Sequence, residues 1–389
     1  MRPIQWLKGH AKWVVAPLLL PLSIVPIVAL APALADSHAS FKRLWLGRET
    51  VRAPAFALSA AQLEAFIPPP TSRGAVPVLA YHGLADKADG QWTLTPRAFV
   101  AQMAMLKQAG FHSISAEQYA HFPGGSAKDL PSRPILITFD DGRLDSYQHA
   151  DPILARYGMR ATMFAITKNV DRKMPFYLRW DELRSMRRSG RWDVQLHAHD
   201  MHHSVSVDAK GTQGAAYANR TYADGELESY GTYQRRVTED LDEGMKRLRA
   251  ELGDVRADMF AVPFSADGGW QSNDRRIPAF LDRALHERFA QVFVAGRPKH
   301  PPRTAQRTLT RYEARADTTA EALYTWLALD PRTTRQVHLQ TRAYINRLQA
   351  AGLKVPAGLR AKAGLRPLHR VHRRAAHRHR VHRHRAHRR

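Results

Sequence analysis

The sequence predicts an α/β domain built on a barrel of parallel strands, and three observations carry that expectation. Short apolar runs bounded by turn residues alternate with amphipathic stretches of helical length from Val76 to Leu329. No repeat of solenoid period interrupts them. Four of the apolar runs end in residues suited to chemistry: His82, Asp140-Asp141, His197 and Pro263-Phe264. In such barrels the C-terminal strand ends converge on one face, where sites form, and about 250 residues is the usual size.

Ahead of this region, Arg2, Lys8 and Lys12 precede an apolar run from Trp13 to Leu34, and Ala33-Leu34-Ala35 reads as a signal-peptidase site. The run is long enough to cross a bilayer, where its four prolines are better tolerated than in a soluble helix. Residues 1–35 are therefore expected to be a signal peptide or a signal anchor. Positive charge at the start keeps the N-terminus in the cytoplasm and places the rest outside, secreted or on the extracellular face of the plasma membrane. Residues 36–74, with Pro68-Pro69-Pro70 near their end, read as a linker with room for a short helix around Ala60 to Phe66.

The domain proper is expected over residues 75–330. Val76 to Tyr81 is a strand that delivers His82. Thr95-Pro96 opens a helix that runs through Gln108 and closes at Ala109-Gly110. A short strand from Phe111 to Ser115 and a second helix from Ser115 follow. The run Ile135 to Phe139 is apolar enough to be buried on both faces, and it ends in Asp140-Asp141-Gly142. Adjacent side chains on extended backbone point opposite ways, which predicts different tasks for the two carboxylates. The plainer alternative is that they cap the helix beginning near Leu144. The remaining alternation is helix Leu144–Tyr157, strand Arg160–Ile166, helix Trp180–Arg188, strand Trp192–Leu196, helix Tyr230–Leu252, strand Met259–Val262, helix Asp274–Phe289, strand Gln291–Val294 and a closing helix Thr319–Leu329. The polar stretch from Val205 to Glu228 is too long for an ordinary connection and is expected to be a functional loop.

Residues 331–365 are expected to hold one more helix, and residues 366–389, almost wholly Arg and His, a disordered tail. That tail carries much of the net charge of +24 over 389 residues. Outside a membrane it suits anionic envelope polymers or lipid headgroups, with no specific nucleic acid implied. The absence of cysteine excludes disulfides, thiolate catalysis and zinc–cysteine sites.

The chemistry concentrates in Leu196-His197-Ala198-His199-Asp200-Met201-His202-His203, four histidines within seven residues after a buried strand. Two of them with a remote aspartate give zinc three protein ligands and leave a position for water, the pattern of a catalytic site. Magnesium prefers oxygen donors, which argues against a magnesium phosphohydrolase built on Asp140-Asp141.

Thr138-Phe139-Asp140-Asp141-Gly142 resembles the first signature of the polysaccharide deacetylase (NodB-homology) family of metal-dependent carbohydrate esterases. The His197 to His203 cluster resembles its second, and Met259 to Phe264 its third. The resemblance spans roughly Val76 to Leu329 and implies a distorted (β/α) barrel of the NodB-homology type. It implies Asp140 as general base and one divalent metal, zinc by preference, on Asp141, His197 and His202. The competing register uses His199 and His203, which otherwise support the site, face the substrate or are simply solvated. Pro263-Phe264 would supply an oxyanion donor through the Phe264 N–H. Three departures stand out. Ala198 replaces the usual Thr or Ser. Ala261 stands where most members carry an arginine that orients the base, so that group is missing or supplied elsewhere. The late Leu-x-x-His signature is absent around Leu309-Thr310-Arg311-Tyr312; in the poly-N-acetylglucosamine branch the acid follows an early strand like Ala80-Tyr81-His82, which fits His82.

The activity so implied is removal of N-acetyl groups from N-acetylglucosamine units of an extracellular or cell-wall polysaccharide. Peptidoglycan, chitin-like oligomers and O-acetyl esters remain open as substrates, and a non-catalytic glycan-binding protein is the rival from another class. Trp270, Tyr217 and Tyr222 are candidates for stacking on sugar rings or for simple packing.

Overall fold

The computed structural model describes residues 57–59, 76–87, 90–121, 130–131, 133–253, 259–268, 272–296 and 308–329. The expected signal segment, nearly all of the linker, the extension at 331–365, the basic tail and Trp270 lie outside the described residues.

Seven parallel strands close into a barrel in simple chain order. They are β1 (Val78–Tyr81), β2 (Pro134–Phe139), β3 (Ala161–Ile166), β4 (Trp192–Ala198), β5 (Met259–Ala261), β6 (Gln291–Gly296) and β7 (Leu309–Glu313). Each pairs with the next, and β7 returns to β1 with Tyr312 opposite Leu79. A two-residue strand, His112–Ser113, adds to β2 outside the closed ring.

Alternation along each strand explains why the strands read as continuous apolar runs. Val78, Leu136, Phe164, Met259, Ala261 and Phe293 form one buried cluster, the barrel interior. Their neighbours Leu79, Ile135, Ile137, Met163, Leu196, Phe260 and Val292 belong to a second cluster, packed against the surrounding helices. Both faces are dry, so both must be apolar. Apart from Ala261, each such side chain contributes about 1.5–3 kcal/mol on burial.

Among the described residues the α-helices are α1 (Pro96–Gln108), α2 (Ala116–His121), α3 (Leu144–Tyr157), α4 (Thr167–Asp171), α5 (Trp180–Arg188), α6 (Tyr230–Leu252), α7 (Ile277–His286) and α8 (Ala320–Leu329). Their ends obey local chemistry. The Thr95 hydroxyl accepts from Ala98 N at 3.2 Å with Pro96 at the first helical position, and Ser229 accepts from Thr232 N at 3.0 Å. Gly158 ends α3 in the left-handed region, φ 63°. Neither Asp140 nor Asp141 caps α3: its N-cap is Arg143, whose carbonyl accepts from the Ser146 hydroxyl.

Two elements were not anticipated. The segment at 309–313, to which the sequence reading assigns no element, is a barrel strand. The polar stretch after Val205 is folded, not open: it makes two small hairpins, Ser204–Ser206 with Gln213–Ala215 and Tyr222–Ala223 with Glu226–Leu227. Between them Ala216, Tyr217 and Ala218 are buried, and Tyr233 donates its hydroxyl to the Tyr217 carbonyl at 2.6 Å. Tyr217 is thus a core residue and not a sugar platform.

Helix α6 lies hard against β4 because Gly244 lets it. A Cβ there would meet the Leu196 methyl carbons at 2.7 and 2.9 Å. Overpacking of this kind costs about 1–3 kcal/mol. Gly244→Ala is expected to lower unfolding stability by that amount, read from the urea midpoint at unchanged m-value.

Candidate active site

Register brings the first two site residues together. Tyr81 is opposite Phe139 across β1 and β2, and Asp140 N donates to the Tyr81 carbonyl at 2.9 Å. His82 and Asp140 therefore leave adjacent strands side by side, with His82 Nε2 3.8 Å from Asp140 Oδ2. The His82 ring packs on Trp92, centroids 4.9 Å apart, and its Nδ1 is buried without a partner.

The two aspartates diverge for a reason other than strand alternation. The strand ends at Phe139, and Asp141 adopts φ 73°, the left-handed region that non-glycine residues rarely occupy. Gly142 follows at φ 75°, where a Cβ would come within 3.4 Å of Ala165 Cα. The turn sends Asp140 into the barrel mouth and Asp141 towards β4.

Asp141 meets two histidines. Its Oδ1 lies 3.5 Å from His197 Nε2 and 3.3 Å from His202 Nε2, and it is buried without a hydrogen bond. One ligand atom from each of the three residues fits within 4.8 Å of the others. Burial raises the Asp141 carboxyl, but His197, His82 and His202 outweigh it and hold it well below the usual range. Burial, and then the charge of His197, push the His202 imidazole down to about 4, so it is neutral with a lone pair to offer. His197 sits within β4 beside β5, where its Nδ1 donates to the Ala261 carbonyl at 2.7 Å. That bond fixes the tautomer and leaves Nε2 free to ligate. An orphaned buried carboxylate oxygen facing two imidazole nitrogens fits a divalent metal.

The other two histidines are elsewhere. His199 Nδ1 bonds the Thr167 hydroxyl at 2.8 Å, and His203 is exposed with Nδ1 on the Asp200 carbonyl at 3.0 Å. Neither joins the cluster. Pro263 and Phe264 follow β5 in a tight turn, with Phe264 at φ 56° and Ser265 at φ 55°. The Phe264 ring is half exposed and stacks on His202, centroids 4.5 Å apart.

The residue that sequence reasoning missed is Arg311. From β7 its two terminal nitrogens each reach one oxygen of Asp140 at 2.7 Å, and Nη1 also meets the Thr138 hydroxyl at 3.1 Å. Its guanidinium lies 5.4 Å from the Phe164 ring and 6.0 Å from the Phe293 ring, with 1% of its side chain exposed. The arginine absent at Ala261 is thus supplied from a different strand. The available signal was a lone arginine in Leu309-Thr310-Arg311-Tyr312-Glu313, an alternating strand pattern in which an inward charge demands a partner. Burial raises the Asp140 carboxyl, but Arg311, with lesser help from His197 and His82, holds it below its ordinary range.

Breaking a buried pair from one side costs about 3–5 kcal/mol, because the remaining charge is left unpaired. Arg311→Met is expected to lose that much stability near neutral pH by denaturant unfolding. A depressed carboxylate stabilises the fold above its unfolded pKa, and the contribution is lost as pH falls through the folded value. The deficit of the variant should therefore shrink in acid.

Residues 127–277 match the family described as polysaccharide deacetylase. A poly-beta-1,6-N-acetyl-D-glucosamine N-deacetylase of Escherichia coli is 24% identical over 208 residues, 49% of this chain and 31% of that protein. A putative polysaccharide deacetylase of Bacillus subtilis, YxkH, is 30% identical over 128 residues, 33% of this chain and 43% of that protein. The chain thus spans less than half the length of either relative. A solved de-N-acetylase from Aggregatibacter actinomycetemcomitans shares the fold with a TM-score of 0.54 at 21% identity, over 65% of this chain and 99% of that one. With the closed barrel, the Asp-Asp-Gly turn and the paired histidines at one mouth, the match identifies residues 127–277 as a stretch similar to the polysaccharide deacetylase domain.

Proposed function

We propose that the protein is a metal-dependent hydrolase that removes N-acetyl groups from N-acetylglucosamine units of a poly-N-acetylglucosamine-like polysaccharide. The observation that carries the reading is the juxtaposition of a three-residue metal site, Asp141, His197 and His202, with an arginine-held carboxylate and an unpartnered histidine nitrogen. The relatives named as N-deacetylases support the same chemistry. Two imidazoles and a carboxylate suit zinc better than magnesium or calcium. When bound, the metal supplies Lewis-acid chemistry, making water acidic and an acetyl carbonyl electrophilic.

The chain's own groups do the rest. Asp140 is ionised and fixed by Arg311; a carboxylate has about four acceptor sites, so two bonds to arginine leave room for a water proton. The Phe264 N–H serves the tetrahedral oxyanion. His82, on the other side of Asp140, protonates the departing amine, which otherwise leaves poorly. Trp92 and Phe264, aromatic rings exposed at the mouth and packed on His82 and His202, suit the apolar faces of sugar rings on either side of the reacting acetyl group. The N-terminal apolar segment supports export, which places the enzyme where such a polymer accumulates. Among the described residues no helix is long and apolar enough to cross a membrane.

Metal analysis of the purified protein should find about one equivalent of zinc, with His197→Ala and His202→Ala depleted and His199→Ala and His203→Ala retaining it. The opposite pattern would reassign the ligands.

Acetate release from N-acetylglucosamine oligomers tests the reaction. Asp140→Asn should abolish it with metal still bound. His82→Ala should lower amide turnover by about 100- to 10,000-fold, the usual range for acid–base groups. An activated acetyl ester, whose leaving group needs no proton, should suffer much less. Equal loss on both substrates would remove His82 from the acid role.

A further inference from the structure

His202 differs from the other two metal residues in how it is held. Asp141 follows a barrel strand, and His197 is part of one. His202 lies in a loop without regular structure, four residues beyond the end of β4. What fixes that loop comes from outside it. Asp240, buried on α6, accepts from three consecutive amides: His199 N at 3.0 Å on Oδ2, Asp200 N at 2.7 Å and Met201 N at 2.9 Å on Oδ1. The buried Tyr217 hydroxyl also donates to Oδ2. His202 is the next residue, and its own amide donates to the Asp200 carbonyl at 2.9 Å.

A carboxylate ringed by three backbone N–H groups makes charge-assisted bonds, stronger than the neutral bonds of an ordinary turn. All three amides are satisfied only if the loop keeps one path. Gly244, one turn further along α6, lets the helix approach closely enough for this; a Cβ there would lie 3.4 Å from His199 N. Tyr217 in turn is anchored by Tyr233, so the clamp is built into the core.

We propose that Asp240 is a positioning residue for the metal centre, clamping the backbone of residues 199–201 and thereby setting where His202 Nε2 stands relative to His197 and Asp141. The inference rests on the metal reading given above. Asparagine is the informative replacement, since it keeps the shape but turns one acceptor oxygen into a donor that faces the amides.

The test uses the full chain, with zinc affinity measured by competition against a chromogenic chelator and the visible spectrum recorded after cobalt(II) substitution. Asp240→Asn should weaken zinc binding by about 10- to 100-fold, the usual effect of groups that orient ligands. It should also shift the cobalt spectrum and speed amide exchange at 199–201. Tyr217→Phe, which removes one donor from Oδ2, should move the same readouts in the same direction by less. Leu248→Ala weakens the same helix through its buried face and should leave zinc affinity and the cobalt spectrum unchanged. Wild-type affinity and spectrum in Asp240→Asn would overturn the proposal, as would equal weakening in Leu248→Ala. If Asp240→Asn does not fold, unchanged affinity and spectrum in Tyr217→Phe would overturn it instead. Zinc uptake by the wild-type sample separates the two readings: no uptake refutes the metal centre itself, while uptake equal in wild type and Asp240→Asn refutes only the clamp.

Discussion

The bidentate pair between Arg311 and Asp140 is the constraint around which the barrel mouth is arranged. An ionised carboxylate inside a dry barrel is costly, and an ionised guanidinium equally so; each is tolerable only in the other's company. The pair joins β7 to β2 across the intervening β1, and Thr138 and the rings of Phe164 and Phe293 fill the space around it. It also solves a problem posed by two carboxylates in adjacent positions. Their charges would repel if both faced one way, and each would drive the other towards protonation. Arginine takes one and the histidines take the other, so both stay ionised at short range.

That division requires a backbone that few residues adopt willingly. Asp141 at φ 73° stores strain of order 1–3 kcal/mol, and such strain persists only where the surroundings over-determine it. Here the bonds on either side do so: Asp140 N to the Tyr81 carbonyl, Leu178 N to the Gly142 carbonyl at 2.9 Å, and Leu144 N to the Phe176 carbonyl at 3.0 Å. Arg143 adds a further tie, stacked 4.4 Å over Phe176 and packed so closely on Gly83 that a Cβ there would fall 2.3 Å from its Nη2. The loops bearing His82 and Asp141 are thereby held as one unit.

Most of the barrel was legible in the sequence because doubly buried strands leave a mark that survives translation into one dimension. Ile135 to Phe139 and Ala161 to Ile166 are apolar but for one buried threonine each, and the helices carry caps that can be read directly, as at Thr95-Pro96. The grouping of Asp141, His197 and His202 was legible in part: the strand ends and a dense histidine run announce candidates, while the choice of His197 and His202 over His199 and His203 came from the family resemblance. What escaped was whatever depends on partners far apart in the chain. Arg311 looked like one of many arginines: the alternating pattern around it hints at a strand, but the carboxylate that makes an inward cation tolerable lies 171 residues away. The divergence of Asp140 and Asp141 was anticipated, but its cause was not; strand alternation was the wrong reason, and the left-handed turn is the right one. The stretch from Val205 to Glu228 looked like an open loop because its composition is polar, whereas its small hairpins are tied down by buried tyrosines and by arginines such as Arg220 and Arg236 bonding its carbonyls.

The chain-order closure of the barrel has a temporal side. Asp140 and the arginine that fixes it are 171 residues apart, and β7, which brings that arginine, is the last strand of the ring. A polypeptide emerging N-terminus first displays His82, Asp140, Asp141, His197 and His202 well before Arg311 can hold Asp140 in place. Contacts this distant in sequence form late. Asp140 is therefore without its arginine until the final strand slides in beside the first.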